Sequence, residues 1–135
     1  MSTKRDCCSI LVVEDDEDIA ETLRELLDEE GYRVLMAGDG LQALEVLDRE
    51  PSPCLILLDL FMPRMDGRQF LEQLDRTRKE LAAAVPIVLV TAAGDAATSG
   101  IARRAHDLLR KPIDLEQLLS TVAKFCPPER KTGSA

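Results

Sequence analysis

Short apolar runs alternate along the chain with longer segments of helical periodicity. The clearest run covers residues 54–58, which are all apolar and lie between Pro53 and Pro63. Such a run is typical of a strand that is buried on both faces of a parallel sheet. Further strands are predicted at residues 9–13, 32–37, 86–90 and 108–109.

Helices are predicted between these strands, because apolar residues recur there three or four positions apart. The predicted apolar faces are Ile19, Leu23, Leu26 and Leu27; Leu41, Leu44 and Leu47; Phe70, Leu71 and Leu74; and Leu115, Leu118, Leu119, Val122 and Phe125. Gly31 and Pro51 end the first two helices, and Asp66 and Asp114 are candidate N-caps of the last two. Residues 92–105 contain two glycines and few large apolar side chains, so any helix there is expected to be short and loosely packed.

The alternation of strand and helix, repeated five times, predicts a parallel sheet with helices on both faces and right-handed crossovers. The predicted fold class is α/β, a doubly wound five-stranded parallel sheet with the flavodoxin-like strand order 2-1-3-4-5. We expect a single domain over residues 8–126, preceded by a flexible segment at 1–7 and followed by a disordered tail at 127–135.

Composition excludes several classes of function. The chain has 135 residues, of which 45% are hydrophobic and 31% charged, as in ordinary globular domains. Its net charge of −8 argues against a nucleic-acid surface. It has neither a signal-peptide pattern nor an apolar run of the ~20 residues that a membrane span needs, so a cytoplasmic location is expected. The four cysteines, which form no CxxC motif, are expected to be reduced thiols rather than metal ligands: Cys7, Cys8, Cys54 and Cys126.

Polar residues stand where four of the predicted strands end. Glu14 and Asp15 follow the first strand, Asp59 follows the third, Thr91 ends the fourth and Lys111 follows the fifth. They are expected to converge, because the carboxyl ends of parallel strands meet at one edge of the sheet. Neighbouring carboxylates repel one another, and a hard cation such as Mg²⁺, which prefers oxygen ligands, relieves that repulsion. A carboxylate beside Mg²⁺ and a lysine can accept a phosphoryl group, and a threonine hydroxyl can hydrogen-bond it.

Several neighbouring polar residues have simpler interpretations. Asp16, Glu17 and Asp18 are interpreted as a solvated helix start, where negative charge is favoured by the helix dipole. Asp66 and Gly67 are interpreted as a cap and a turn, and His106 as a surface residue.

Four sequence blocks together resemble the receiver domains of two-component response regulators over about residues 8 to 125. They are Leu-Val-Val-Glu14-Asp15, Asp59-Leu-Phe-Met-Pro-Arg-Met-Asp-Gly67, Val-Thr91-Ala92 and Lys111-Pro112. The resemblance implies that Asp59 is the phosphoacceptor of a phosphorelay. It also implies that Asp15, Asp59 and the backbone carbonyl of Phe61 bind Mg²⁺ directly, while Glu14 holds the metal through water.

The same resemblance assigns roles to the ends of the last two strands. Thr91 would be the switch hydroxyl, Lys111 would bind the phosphoryl group, and the Lys111–Pro112 peptide bond would be cis, as is common in the family.

The chain departs from the family pattern at several positions. Receivers usually carry Tyr or Phe three residues before the lysine, where this chain has Leu108, and a glycine where it has Arg104. We therefore hypothesise that activation orders residues 93–105 beside the phosphate, in place of the usual coupling between threonine and an aromatic switch residue. Phe61 and Ala93 stand where family members often carry polar residues that orient a hydrolytic water, so slow self-dephosphorylation is expected.

The resulting hypothesis is a stand-alone receiver, a signalling protein rather than an enzyme. It would take a phosphoryl group onto Asp59 from a sensor histidine kinase or a histidine phosphotransfer protein. It would then signal through altered protein–protein contact or onward phosphotransfer. No output domain is expected, because the chain ends shortly after the last predicted helix, but a receiver excised from a larger hybrid kinase fits equally.

Three alternatives remain. One is a degenerate receiver that binds partners without phosphorylation. A Mg²⁺-dependent phosphatase of the haloacid dehalogenase type is less favoured, because that family needs a second aspartate where this chain has Phe61. A dinucleotide-binding module is also disfavoured, because acidic residues replace the glycine fingerprint after the first strand.

Overall fold

A parallel five-stranded sheet forms the centre of the molecule. The computed structural model describes residues 9–92, 100, 101 and 103–126. The strands are β1 (Ser9–Val13), β2 (Arg33–Ala37), β3 (Leu55–Leu58), β4 (Ile87–Thr91) and β5 (Asp107–Arg110). They pair in parallel in the order β2-β1-β3-β4-β5, which confirms the predicted fold class and strand order.

The two faces of the sheet are covered by different helices. Side chains alternate between faces along each strand, so Ile10 and Val12 pack on one side and Leu11 and Val13 on the other. Helices α1 (Glu17–Glu29) and α5 (Leu115–Phe125) cover the first side, and α2 (Gly40–Arg49) and α3 (Gly67–Thr77) cover the second. Because both faces are covered, β1, β3 and β4 are buried along their whole length.

An aspartate side chain caps each of these four helices. Asp16, Asp39, Asp66 and Asp114 accept hydrogen bonds from backbone N–H groups in the first turns of α1, α2, α3 and α5. The caps at Asp66 and Asp114 were predicted, and the cap at Asp16 agrees with a helix start in the acidic run. Asp66 and Gln69 also form a reciprocal capping box. Each of the turns after β1, β2 and β3 therefore leads into a helix whose first turn is fixed by a cap.

Some predicted elements differ from the observed ones. An additional short helix, α4 (Lys79–Ala84), lies between α3 and β4 and was not predicted. It is separated from α3 by Arg78, whose backbone is not helical. Leu41 and Leu115, predicted to lie on buried helix faces, are instead largely exposed. In α2 the buried stripe is Gly40, Ala43, Val46 and Leu47.

Some predictions fall outside the part of the chain that the structure describes. These are the flexible segment at 1–7, the tail at 127–135, and most of the proposed weak segment, namely residues 93–99 and 102. Within the described residues, no helix combines the length and the apolarity required to cross a bilayer.

Gly67, the first residue of α3, allows the backbone to pass close to the end of β3. A Cβ added there would lie 2.6 Å from the carbonyl oxygen of Asp59 and 3.0 Å from the Cα of Leu60. We therefore expect Gly67→Ala to lower the free energy of unfolding by about 1–3 kcal/mol, because backbone must shift to admit the methyl group. Urea denaturation measures this change.

Gly100→Ala is the matched control. Its added methyl would meet nothing closer than Nη1 of Arg68 at 3.7 Å, which is an ordinary contact. We expect the stability of this variant to stay close to that of the wild type. Equal stability of the Gly67→Ala variant and the wild type would contradict the steric argument.

Candidate functional site

Backbone hydrogen bonds continue the sheet one residue past its strands and fix the polar residues that follow. The N–H of Glu14 donates to the last carbonyl of β2, and the N–H of Asp59 donates to the last carbonyl of β1, both at 3.0 Å. The N–H of Lys111 donates to the carbonyl of Thr91 at 3.1 Å. The sheet itself therefore carries these side chains to a common edge.

The side chains do converge at this edge. Glu14, Asp15 and Asp59 each offer a carboxylate oxygen within 4.8 Å of the others. Glu14 and Asp59 are buried, while Asp15 is exposed. The Nζ of Lys111 lies 2.9 Å from Oε1 of Glu14 and 3.3 Å from Oδ2 of Asp59. One ammonium group thus bridges the two buried carboxylates.

The electrostatics of the site reflect this crowding. Burial raises the pKa of both Glu14 and Asp59, and the hydrogen bonds and charge of Lys111 only partly oppose that rise. Burial lowers the pKa of Lys111, but its two carboxylate partners more than compensate, so the net shift is upward. Lys111 therefore keeps its proton at neutral pH. A further cation at the cluster would stabilise the ionised form of the two buried carboxylates.

The donor set fits Mg²⁺. Three carboxylates supply hard oxygen ligands, and the exposure of Asp15 leaves one side of the cluster open to water, which Mg²⁺ usually retains. The backbone of Phe61 lies close enough to the Asp59 carboxylate to oppose the rise in its pKa, so the backbone of this predicted ligand is next to the cluster. The Phe61 side chain itself is 59% exposed. A bound Mg²⁺ would neutralise the carboxylates and any anion that approaches them.

The predicted switch residues lie on the neighbouring strands. Thr91 is fully buried at the end of β4. Leu108 pairs with Leu89 in the sheet and packs, partly buried, against the core on the α2–α3 side. Arg104 forms a bidentate ion pair with Asp75 of α3, with its shortest contact at 2.7 Å. The Lys111–Pro112 peptide bond is cis, as the sequence resemblance implied.

The structure also reveals a contact that was not predicted. Arg64 in the loop after β3 binds the buried carboxylate of Asp39 in the loop after β2. No periodicity links two residues 25 positions apart, although an aspartate before Gly40 is a recognisable cap signal. His106 is exposed, as predicted, and its Nδ1 accepts a hydrogen bond from the backbone N–H of Ile87 at 3.1 Å.

Comparison with known proteins identifies the family. The sequence model of the response regulator receiver domain matches residues 10–123. The chain belongs to this family. Receiver domains of this kind are phosphorylated by histidine kinases in two-component systems and bind Mg²⁺ at an acidic site.

The curated relatives are longer proteins. The chain is 39% identical over 115 residues to the response regulator MprA of Mycobacterium leprae, covering 84% of this chain and 48% of the relative. It is 38% identical over 115 residues to the transcriptional regulatory protein CpxR of Klebsiella pneumoniae, covering 84% and 47%. The receiver chain therefore spans about half the length of these relatives.

Solved receiver structures have the same fold over their whole length. A response regulator receiver protein from Pseudomonas putida aligns with a TM-score of 0.80 at 25% identity, covering 92% of this chain and 99% of that one. The receiver domain of a sensor histidine kinase from Pseudomonas aeruginosa aligns with a TM-score of 0.77 at 27% identity, covering 89% and 98%. The latter structure has a magnesium ion coordinated in its active-site cleft.

Because the pKa values of Glu14 and Asp59 are raised, an increase in pH is expected to change the stability of the metal-free and the metal-bound protein in opposite directions. A carboxyl whose pKa is higher in the folded state contributes stability that is fully present below its unfolded pKa, about 4, and is lost as pH rises through the folded pKa. Mg²⁺ needs the ionised carboxylates and so opposes that loss. The increase in Tm on adding Mg²⁺ should therefore grow as the pH rises from about 4, the unfolded pKa, through the raised folded pKa values.

Thermal unfolding with and without Mg²⁺ at several pH values measures this. The Asp59→Asn variant, which lacks one of the two buried acids, should show a smaller growth of the Mg²⁺ effect with pH. A Mg²⁺-induced increase in Tm that stays constant over this range would contradict the interpretation.

Proposed function

We propose that Asp59 accepts a phosphoryl group with the help of Mg²⁺ and that the chain acts as a phosphorylation-dependent signalling receiver. The observation that supports this most directly is the position of the Lys111 ammonium, 3.3 Å from Asp59 and 2.9 Å from Glu14, beside a third carboxylate. Asp59 is thus a buried carboxylate with one ammonium group beside it, which can neutralise the charge of an incoming phosphoryl group.

Each residue has a defined part in the proposed transfer. An oxygen of Asp59 attacks the phosphorus atom, and an O–P bond forms while the N–P bond of a donor phosphohistidine breaks. The imidazole leaves with the electron pair, and Asp59 becomes an acyl phosphate. Lys111 binds the transferred phosphoryl oxygens and neutralises their charge. Asp15, Asp59 and the backbone carbonyl of Phe61 would bind Mg²⁺ directly, and Glu14 would hold it through water. The hydroxyl of Thr91 would bind the transferred phosphoryl group.

The proposal also covers how the signal leaves the domain. We expect residues 8–126 to act as the receiver unit in the cytoplasm, changing their affinity for a partner protein or passing the phosphoryl group onward. Ordering of residues 93–105 remains the proposed route of activation, with Leu108 in place of an aromatic switch. An enzyme that turns over external phosphate esters is less well supported, because the exposed Phe61 provides no general acid.

Phosphorylation with a small-molecule donor tests the function directly. After incubation with acetyl phosphate and Mg²⁺, intact mass spectrometry of the wild type should show one phosphoryl adduct. Asp59→Asn should show none, because the nucleophilic oxygen is lost, and the wild type without Mg²⁺ should show none either.

Asp66→Asn is the matched control for this experiment. Asp66 lies in the same loop, and asparagine caps a helix as well as aspartate does, so this variant should still be phosphorylated. Failure of the wild type to form an adduct would favour a degenerate receiver that binds its partners without phosphorylation.

The phosphoryl donor is proposed to dock beside α1 and the loop after β5. A cavity of about 290 Å³ there is lined by Ile19, Thr22 and Leu23 of α1 and by Pro112, Ile113 and Leu115. Lys111 also lines it, so a protein bound there would lie next to the acceptor. Leu115 is 47% exposed, which suits an apolar contact with a helical histidine-bearing partner.

Leu115→Arg should therefore slow phosphotransfer from purified, autophosphorylated histidine kinases by roughly tenfold, because a charge replaces an apolar contact in the docking face. Phosphorylation by acetyl phosphate should be unchanged, because that donor needs no docking surface. Leu41→Arg, which alters another exposed leucine on α2, is the control and should transfer normally. Equal transfer to the Leu115→Arg and wild-type proteins would place the donor on another face.

A further inference from the structure

The loop at residues 60–66, which follows the proposed acceptor, is held against the start of α2. The carbonyl of Met65 accepts a hydrogen bond from the N–H of Gly40 at 2.9 Å. A Cβ added at Gly40 would lie 2.6 Å from Cγ of Met65 and 2.8 Å from its carbonyl oxygen, so the two segments pack without a gap. At the base of the loop, the N–H of Gly67 donates to the carbonyl of Leu60 at 2.8 Å.

An ion pair between Arg64 and Asp39 completes this attachment. The Asp39 side chain is only 3% exposed. One of its oxygens accepts from the N–H of Gln42 at 2.9 Å and caps α2, and the other accepts from Arg64 through Nε at 2.7 Å and through Nη2. A buried carboxylate needs a charged partner of this kind, because removal of one member of such a pair leaves an uncompensated charge.

The backbone of Arg64 shows that the loop is constrained. Its φ of 65° lies in the left-handed region, which is unfavourable for a residue with a Cβ. The position is three residues after Phe61 and five after Asp59 in the same loop. The attachment of its guanidinium to Asp39 therefore fixes the turn that returns the chain from the acceptor to α3.

We propose that Arg64 is a positioning residue, whose ion pair with Asp39 holds residues 60–66 in the conformation that presents the Phe61 carbonyl to Mg²⁺. The inference rests on the proposed function and adds a residue outside the cluster of carboxylates and lysine. Rigid support of this kind raises metal affinity, because the ligand does not have to be ordered when the ion binds.

Arg64→Gln tests the inference in the full chain. Isothermal titration should show Mg²⁺ binding that is weaker by roughly tenfold, the lower end of effects that are typical of groups supporting metal ligands. In the metal-free protein, amide exchange of residues 60–66 should become faster. Arg64→Asn should behave in the same way, although asparagine tolerates positive φ, because both variants lose the guanidinium group.

Arg78→Gln is the matched control. Arg78 forms a bidentate pair with Asp48 at the opposite end of α2, with distances of 2.9 and 2.7 Å. Loss of that pair should leave Mg²⁺ affinity unchanged. Asp39→Asn should reproduce the Arg64→Gln effect while keeping the helix cap, and the double variant should bind Mg²⁺ no more weakly than either single variant.

The possible outcomes separate the two proposals. Unchanged Mg²⁺ affinity in both Arg64 variants, or an equal loss in the Arg78→Gln variant, would overturn the positioning role alone. Absence of a phosphoryl adduct in the wild type would instead overturn the proposed function.

Discussion

The ion pairs from one lysine to two buried carboxylates are the interaction on which this edge of the sheet depends. Glu14 and Asp59 are carried together by backbone hydrogen bonds of the sheet, although burial disfavours the charge on each. Lys111 compensates only part of this cost, because a single ammonium group serves both acids. The edge is therefore an electrostatically unfavourable arrangement that the fold maintains, and binding of a divalent cation is a direct way to relieve it.

The hydrophobic packing of the strands stabilises the fold and so offsets the electrostatic cost of this arrangement. β1, β3 and β4 are buried along their whole length, with apolar residues alternating between the two helical layers. Their burial contributes stability in proportion to the apolar area removed from water. The strands are short, and backbone hydrogen bonds to neighbouring strands fix the residues that follow β1, β3 and β5. The same packing that stabilises the fold thus sets the positions of the functional groups.

Sequence periodicity predicted what depends on local pattern. The buried runs gave β1, β3 and β4, and polar residues at strand ends gave the cluster at Glu14, Asp59 and Lys111. Features that depend on tertiary contacts were missed. The six-residue helix α4 buries only Ala82, too little for a periodic signal. The pairing of Arg64 with Asp39 depends on a left-handed turn that no local pattern encodes, since the amino acid there is not glycine.

The loop after β3 differs physically from the residues that the sheet ladder positions. The backbone N–H of Asp59 is hydrogen-bonded to the last carbonyl of β1. The residues after Asp59 leave the sheet, and their positions are set by contacts with the start of α2. Two glycines, Gly40 and Gly67, permit the close approach of backbone segments on either side of this loop. The position of the loop backbone therefore depends on the α2 side of the fold, whereas the positions of Glu14 and Asp59 depend on the sheet. A metal ion bound by both the loop and the acidic residues would join these two parts of the fold.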